Sequence, residues 1–369
     1  MILSALSPLL RLPAMQNLSR DALLRMDPEI AHGTTITALR LGLAPEQVDP
    51  DPPELKTQLC GLELANPVGM AAGFDKNAEV PRPLARMGFG MVEVGTVTPR
   101  QQTGNPKPRL FRVGEADGVI NRMGFNNEGH EAVFARLKAT RVPAALGANI
   151  GANKDSEDFV ADYVAGVKRF ADVADYLTVN ISSPNTPGLR NLQADEALRR
   201  LLGEVLAARA KAKVRVPVFL KIAPDLDEAA LDAIADVVLA TDLDGLIVSN
   251  TTIGRETVAG MENASETGGL SGKPLFALST RKLAQMRQRV GELPIIGVGG
   301  IHSPQSAVAK FEAGANAVQL YSALVFGGLD LLERIKRGLV AAVRAEGKTN
   351  IGELVGTRTA DWAVGHVSG

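Results

Sequence analysis

Short apolar runs alternate with amphipathic helical stretches along the chain from residue 66 onward. Each run has four to seven residues and is rich in Val, Ile, Leu, Ala and Gly, which is typical of buried strands. The eight predicted strands are residues 67–73, 91–97, 145–150, 176–181, 218–222, 245–249, 295–298 and 317–321. The predicted helices are residues 128–139, 157–173, 194–212, 227–240, 275–290, 303–313 and 329–345.

This alternation predicts parallel strands that are joined by right-handed helical crossovers. Eight such units are typical of the (β/α)8 TIM barrel, an α/β fold, and a doubly wound open sheet is the alternative. Two loops are too long for simple connections. Residues 99–127 predict a β-hairpin inserted at the barrel mouth, residues 250–274 carry five glycines and little hydrophobic pattern, and residues 183–190 are a candidate lid.

The first 50 residues are predicted to form a helical extension outside the barrel. Five apolar residues of segment 1–14 share one helical face: Ile2, Leu3, Leu6, Leu9 and Leu10. A second helix is predicted from Asp27 to about Gly42, with Asp27 as its cap and Pro28 in its first turn. The two helices either cap the barrel or lie in a membrane interface as an anchor. The chain is therefore divided into residues 1–50 and residues 51–369.

Charge and composition narrow the class of protein. The net charge is −1, so no basic excess is present to bind nucleic acid. The single cysteine, Cys60, excludes an internal disulfide, and no Cys/His cluster has the spacing of a zinc site. No uninterrupted apolar run reaches the ~18 residues of a membrane span. Near the C-terminus, Asn350 and Glu353 predict a capped helix start, and no regular structure is predicted for residues 357–369.

Polar residues collect where the predicted strands end. These residues are Asp75, Lys76, Asn77, Thr96, Thr98, Asn149, Asn180, Ser182, Ser183, Lys221, Ser249, Asn250, Thr251, Gly299, Gly300, Tyr321 and Ser322. Because barrel enzymes build their sites at the C-terminal ends of the strands, this asymmetry predicts an active site at that rim. Gly299 and Gly300 after the seventh strand predict a phosphate-binding loop.

The rim residues leave the chemistry open between two classes of reaction. Lys76 and Lys221 are candidates either for a Schiff-base lysine or for a fixed positive charge that stabilises an anion. The rim asparagines suit a flat heterocycle whose edge alternates carbonyl and N–H groups. None of the four histidines falls with the serines at a strand end, so a Ser/His/Asp hydrolase is poorly supported.

Ten motifs together make the chain similar to dihydroorotate dehydrogenases of the quinone-dependent class 2 branch. They are AAGFDKNAE (71–79), GFGMVEVGTVTP (88–99), INRMGFNN (120–127), NIGANK (149–154), VNISSPNTPGLR (179–190), LKIAPD (220–225), SNTT (249–252), GGLSG (268–272), GVGGI (297–301) and QLYSALVF (319–326). The resemblance covers essentially the whole chain. It implies an FMN-dependent oxidoreductase that converts dihydroorotate to orotate in pyrimidine biosynthesis and passes electrons to a membrane quinone.

The resemblance also implies roles for individual residues. Ser183 would be the catalytic base, in place of the cysteine of class 1 relatives, with a rate that rises with pH through the neutral range. Substrate would be held by Lys76, Asn121, Arg122, Met123, Gly124, Phe125, Asn180, Asn185, Asn250 and Thr251. FMN would be held by Ala72, Gly73, Lys76, Thr96, Asn149, Asn180, Lys221, Ser249, Gly272, Gly300, Tyr321 and Ser322.

The N-terminal helices would then form an apolar passage for the quinone, with His32 and Arg112 beside it. We expect a monomeric peripheral protein on the lipid surface at the cytoplasmic face of the inner membrane, with no nucleic acid partner. Two rival interpretations remain: an aldolase that forms a Schiff base through Lys221, and a non-catalytic barrel that binds a phosphate ligand.

Overall fold

The computed structural model of this chain describes residues 13–365. An antiparallel hairpin, β1 (Thr57–Leu59) and β2 (Leu62–Leu64), precedes the main sheet. The main strands are β3 (Val68–Met70), β4 (Met91–Val97), β7 (Ala145–Ile150), β8 (Tyr176–Asn180), β9 (Val218–Ile222), β10 (Gly245–Val248), β12 (Ile295–Val298) and β13 (Ala317–Leu320). The three remaining strands are β5 (Leu110–Val113), β6 (Gly118–Asn121) and β11 (Gly269–Gly272).

The helices alternate with the main strands. They are α1 (Pro13–Leu24), α2 (Pro28–Arg40), α3 (Pro81–Arg86), α4 (Gly129–Ala139), α5 (Phe159–Phe170), α6 (Asp195–Ala210), α7 (Glu228–Leu239), α8 (Phe276–Val290), α9 (Pro304–Ala313), α10 (Ala323–Gly327), α11 (Leu331–Ala345) and α12 (Thr359–Val364). None of the helices within residues 13–365 combines the length and the apolar content needed to cross a membrane.

The eight main strands close into a parallel barrel in chain order, with β13 pairing back onto β3. The predicted TIM barrel is therefore confirmed, and the open sheet is excluded because β3 and β13 leave no free edge. Every predicted strand overlaps an observed one within three residues at each end. The strands are buried on both faces, as expected where side chains fill the barrel and helices cover it.

The hairpin β1–β2 covers the N-terminal end of the barrel and has no counterpart among the predicted strands. Leu59 and Leu64 pack there against Tyr176 and Phe219. Cys60 lies in the turn, where its Sγ donates to the carbonyl oxygen of Asp244 at 3.3 Å. Burial raises the pKa of this thiol to about 12, so Cys60 is an unreactive thiol far from the rim.

The predicted inserted hairpin is present as β5 and β6, but a third strand joins it. Strand β11, from the glycine-rich loop after β10, pairs antiparallel with β6 and places Gly269 opposite Asn121. The expectation of a patternless loop at residues 250–274 was therefore wrong for its last part. The strand has four residues, two of them glycine, so it carries no alternating pattern that would have revealed it.

Near the two chain ends, two predicted helix caps are confirmed and one helix was not predicted. Most of the predicted helix at residues 1–14 lies outside the described residues. Helix α2 begins as predicted, because the Asp27 carboxylate accepts from the N–H groups of Glu29 and Ile30 at 2.9 and 3.0 Å. The capping box of Asn350 and Glu353 is also present. Beyond it, helix α12 is ordered where no structure was predicted, because Trp362 packs edge-to-face against another aromatic ring in the fold.

Candidate active site

A cavity of about 330 Å³ extends from the C-terminal rim of the barrel to the inner faces of α1 and α2. Its floor is formed by strand ends such as Met70 and Val298, and its far wall includes Leu23 and Ala31. Apolar side chains make up most of this lining, and polar groups converge at the barrel end. Such a concave, mostly apolar pocket with a few directed polar groups is typical of a cofactor or substrate site.

The structure brings nearly all predicted site residues together around this cavity. The lining includes Ala72, Gly73, Lys76, Thr96, Asn121, Met123, Gly124, Phe125, Asn180, Ser183, Asn185, Lys221, Ser249, Asn250, Thr251, Gly272, Gly300, Tyr321 and Ser322. Asn149 lies beneath the wall, fully buried, and accepts a hydrogen bond from the Thr96 hydroxyl at 2.5 Å. It therefore acts on the cavity through Thr96.

Arg122 is the predicted substrate residue whose side chain does not line the cavity. Asn121 ends strand β6 facing inward, so the next side chain points to the opposite side. The Arg122 guanidinium pairs with the Glu266 carboxylate at 2.6 Å and lies over the ring of Phe111 at 4.5 Å. Arg122 thus holds the inserted hairpin to the loop after β10.

Loops after β12 and β13 lie where the phosphate-binding loop was predicted. Gly300 has φ of +73°, and a Cβ there would lie 2.2 Å from the Cα of Phe276, so only glycine fits. Helix α10 begins directly after Ser322. Among the described residues, no hydrogen bond uses the backbone N–H groups of Gly300 and Ser322. Unpaired amides beside a short helix after strands seven and eight match the phosphate site of many barrels.

Two lysines give the barrel end of the cavity a positive character. Lys221 is buried at the end of β9, and no hydrogen-bond partner for its ammonium group is found among the described residues. Burial lowers the pKa of Lys221, and the Glu93 carboxylate opposes that shift. Lys76 donates to the Gly73 carbonyl oxygen at 2.7 Å, and burial lowers its pKa to about 8.

Amide side chains and one serine line the opposite wall. The Asn185 side chain donates to the carbonyl oxygen of Asn121 at 3.1 Å, which joins the candidate lid to the inserted hairpin. The buried Ser183 hydroxyl oxygen accepts from the backbone N–H of Asn185 at 3.2 Å. Ser183 therefore has a fixed position on the cavity wall, with a donor directed at its oxygen.

Two further residues that hold the loops around the cavity were not predicted from the sequence. Ser271 on β11 shares a hydrogen bond with Ser322 at 2.7 Å, which adds a hydroxyl to the phosphate loops. Arg190 ends the candidate lid and joins three loops: it donates to the carbonyl oxygens of Ser182 (3.1 Å) and Thr251 (3.2 Å) and pairs with the Asp225 carboxylate (2.8 Å). Arginine suits this role because its planar fork has five donors.

We expect Arg190→Lys to weaken substrate binding while the protein stays folded. A lysine ammonium cannot reach the two carbonyl oxygens and the carboxylate at once, so the Ser183 and Thr251 loops lose their common anchor. A misplaced site of this kind costs on the order of 10- to 100-fold in kcat/KM. Arg200→Lys is the matched control, because Arg200 pairs with Asp158 on the outside of the barrel. Equal kcat/KM for both variants would contradict the anchoring role.

The far end of the cavity is held by contacts between the N-terminal helices and the barrel. Arg112 on β5 donates to the carbonyl oxygens of Leu23 and Leu24, the last two residues of helix α1, and of Met26 just beyond it. His32 on α2 lies 3.2 Å from the Tyr321 hydroxyl through its Nδ1. Both predicted passage residues therefore line the cavity where α1 and α2 meet the barrel.

The free energy of unfolding should fall as pH drops below the ordinary range of histidine. Burial and the Lys76 charge lower the pKa of His32 to about 3, against ~6.5 in an unfolded chain. Between these values the unfolded state binds the extra proton, so stability present above pH ~6.5 is lost on acidification. Urea unfolding at pH 7 and pH 5 should show a smaller loss for His32→Gln. An identical loss would show that His32 is accessible and unperturbed.

The closed barrel and the cavity at its C-terminal rim are typical of a barrel enzyme, and comparison with known proteins shows to which family it belongs. Residues 54–343 match the family model described as dihydroorotate dehydrogenase. A "Dihydroorotate dehydrogenase (quinone)" of Sinorhizobium medicae is 58% identical over 353 residues, which cover 94% of this chain and 98% of that protein. One of the same name from Rhizobium rhizogenes is 56% identical over 355 residues, covering 95% and 98%.

A solved structure gives the same result. The crystal structure of DHODH from Eimeria tenella in complex with ferulenol has a TM-score of 0.87 and 41% sequence identity, and it covers 89% of this chain and 95% of that chain. This chain belongs to the dihydroorotate dehydrogenase family. The resemblance seen in the sequence motifs is thereby confirmed, and enzymes of this family depend on a flavin.

Proposed function

We propose that this protein oxidises (S)-dihydroorotate to orotate in pyrimidine biosynthesis, with FMN as its bound cofactor and a membrane quinone as electron acceptor. The cavity carries this proposal, because one continuous space joins the polar rim of the barrel to the apolar faces of α1 and α2. A water-soluble acceptor would have no use for the second, apolar half. The relatives named as quinone-dependent enzymes support the same acceptor.

The residues at the rim fit FMN. The unpaired amides of Gly300 and Ser322 suit its phosphate, and Lys221 suits the N1 and O2 edge of its ring, which becomes anionic on reduction. When bound, the flavin supplies a two-electron acceptor for the substrate and a donor for the quinone. The other proposed FMN contacts are Ala72, Gly73, Lys76, Thr96, Asn149, Asn180, Ser249, Gly272 and Tyr321.

The wall opposite the lysines is the proposed substrate site. Asn121, Asn180, Asn185, Asn250 and Thr251 offer donors and acceptors to the edge of dihydroorotate, and Lys76 offers a charge to its carboxylate. Ser183 removes the C5 proton while a hydride leaves C6, so that the C5–C6 double bond of orotate forms. A serine without a histidine is a weak base at neutral pH, and exclusion of water by the loop of residues 183–190 assists it.

The N-terminal segment is the proposed route of the quinone. Leu18 on α1 and Ile30 on α2 are 65% and 61% exposed, which gives these helices apolar side chains directed away from the barrel. We propose that residues 1–50 attach the protein, as a monomer, to the lipid surface at the cytoplasmic face of the inner membrane, and that residues 51–369 form the catalytic barrel.

Absorbance of the purified protein separates this proposal from its rival. A buried lysine of lowered pKa without a hydrogen-bond partner, such as Lys221, also suits a Schiff-base aldolase. The proposal predicts a yellow protein whose flavin, released by heat, contains phosphate and matches FMN on chromatography. A colourless protein in which borohydride traps a carbonyl substrate on Lys221 would instead favour the aldolase. A colourless protein without such an adduct would favour a non-catalytic barrel.

A further inference from the structure

A single carboxylate lies inside the barrel, one layer below the cavity. Glu93 on β4 is fully buried and accepts hydrogen bonds from the Asn149 amide (2.7 Å), the Tyr176 hydroxyl (3.1 Å) and the Gln319 amide (2.8 Å). A carboxylate offers only acceptors, so each neighbour must turn a donor toward it. Glu93 makes no contact with the cavity, and the proposed reaction does not use it.

The orientation of Gln319 shows how strongly Glu93 constrains its neighbours. The Gln319 Nε2 donates to both Glu93 and the Tyr176 hydroxyl, while its buried Oε1 has no partner among residues 13–365. A flipped amide would place a carbonyl oxygen against the carboxylate. Leaving a buried oxygen unpaired costs free energy, so the retained orientation means that the Glu93 contact outweighs that cost.

The same constraint passes upward to the cavity wall through Asn149. Because Asn149 gives its amide N–H to Glu93, its Oδ1 faces up and accepts from the Thr96 hydroxyl and from the Asn180 amide at 3.2 Å. The Asn180 amide is then committed downward, since it also donates to Thr96 at 3.0 Å. The side-chain oxygen of Asn180, Oδ1, therefore faces the loop that carries Ser183.

Two more links reach the substrate wall. The Ser182 hydroxyl donates to the Asn180 Oδ1 at 2.9 Å and accepts from the Asn250 amide at 2.9 Å. The Asn250 Oδ1 is thereby free to accept from the backbone N–H of Thr251 at 2.7 Å. If any one of these side-chain amides were flipped, two donors or two acceptors would face each other. The donor and acceptor directions at the substrate wall therefore start from Glu93.

The charges inside the barrel also indicate a role for Glu93. Glu93 is the only acidic residue in the eight barrel strands, and Lys221 is the only basic one. Lys221 is paired in register with Asn180 on the neighbouring strand, so it lies beside the amide chain. The Glu93 charge favours the ammonium form of Lys221 against the effect of burial. A buried cation without a hydrogen-bond partner needs such a countercharge.

We propose that Glu93 is a positioning residue of the reaction, which sets the donor and acceptor directions of the asparagines at the substrate wall and balances the charge of Lys221. This inference rests on the proposed function. Glu93→Gln keeps the shape of the side chain but removes the charge and adds a donor. Asn149 is then no longer held in one orientation, and Lys221 is no longer balanced.

The first test uses the flavin-loaded protein and measures two quantities besides turnover. We expect Glu93→Gln to shift the midpoint potential of the flavin, because removal of the carboxylate charge changes the electrostatic balance around Lys221 and the anionic reduced form. We expect orotate to bind about tenfold more weakly, the effect of one lost hydrogen bond. Tyr176→Phe is the matched control: it removes a donor to the same carboxylate but leaves the charge, so potential and affinity should stay unchanged while thermal stability falls.

The second test needs neither flavin nor substrate and covers the case in which Glu93→Gln alone does not fold. Lys221→Met leaves an uncompensated buried carboxylate, so adding Glu93→Gln to it should raise the thermal midpoint above that of Lys221→Met alone. A lower midpoint in the double variant would overturn the countercharge role. Unchanged potential and orotate affinity in a folded Glu93→Gln would overturn the positioning role. Absence of flavin or of dihydroorotate oxidation in the native protein would instead refute the proposed function.

Discussion

Replacing Ser183 by alanine is expected to slow the reduction of the bound flavin by dihydroorotate by a factor of ~10²–10⁴, the usual contribution of a positioned general base. The hydroxyl is buried on the cavity wall, and its position is set by the N–H of Asn185. Because alanine removes only one oxygen, the neighbouring amides keep their arrangement. Stopped-flow absorbance of the flavin under anaerobic conditions measures this step without the quinone.

Two controls separate the loss of a base from the loss of a binding group. Ser183→Cys should retain a substantial part of the rate, since a thiol with a pKa of ~8.5 ionises to a proton-accepting thiolate at neutral pH far more readily than a serine hydroxyl ionises. Orotate affinity of Ser183→Ala should stay within about threefold of the native value, because the proposed role of Ser183 is at C5, where orotate offers no hydrogen-bonding group. Near-normal flavin reduction by Ser183→Ala would refute the assignment of Ser183 as the base.

Obstruction of the passage beneath α2 should slow the reoxidation of the flavin by a quinone and leave its reduction by dihydroorotate unchanged. Thr35 faces the cavity from α2, and its hydroxyl is bonded to the carbonyl oxygen of Ala31. Thr35→Phe places a ring in the apolar half of the cavity. Flavin reduction by dihydroorotate should be unchanged, while reoxidation by a quinone should slow by about tenfold or more, since a displaced reactant loses its productive approach.

The adjacent threonine offers a matched control on the same helix. Thr34 bonds in the same way to the carbonyl oxygen of Ile30, but it is exposed on the outer face of α2. Thr34→Phe should therefore leave both half-reactions unchanged. If Thr35→Phe reoxidised as fast as Thr34→Phe, the quinone would have to reach the flavin by another route.

The barrel could be predicted from the sequence because its strands are buried on both faces. Runs such as residues 295–298 are then continuously apolar and contrast with the amphipathic helices between them. Strand β11 and helix α12 escaped prediction for the reverse reason. Half of the four residues of β11 are glycine, so no alternating pattern forms, and α12 is held by contacts distant in sequence, such as that of the Trp362 ring with Phe276.

Much of the candidate site could also be predicted from the sequence, but the prediction failed for particular residues. Residues at strand ends, such as Lys221 and Asn250, are where a barrel builds its site, so their position alone located them. Arg122 was expected at the cavity because it belongs to a motif of the family. Its side chain points away, because side-chain direction depends on the alternation of β6. The interior position of Glu93 and the three-loop contacts of Arg190 depend on residues distant in sequence, which no local pattern reveals.

The central claim is that one cavity connects oxidation of dihydroorotate at the barrel rim to reduction of a quinone between α1 and α2. The most direct test is a sequential anaerobic titration of the purified yellow protein, followed by its flavin absorbance. The account predicts that dihydroorotate bleaches the flavin with release of one orotate per flavin, and that a quinone, but not NAD⁺ or fumarate, restores the colour. A flavin that dihydroorotate leaves oxidised, or that NAD⁺ or fumarate reoxidises as fast as a quinone, would contradict it.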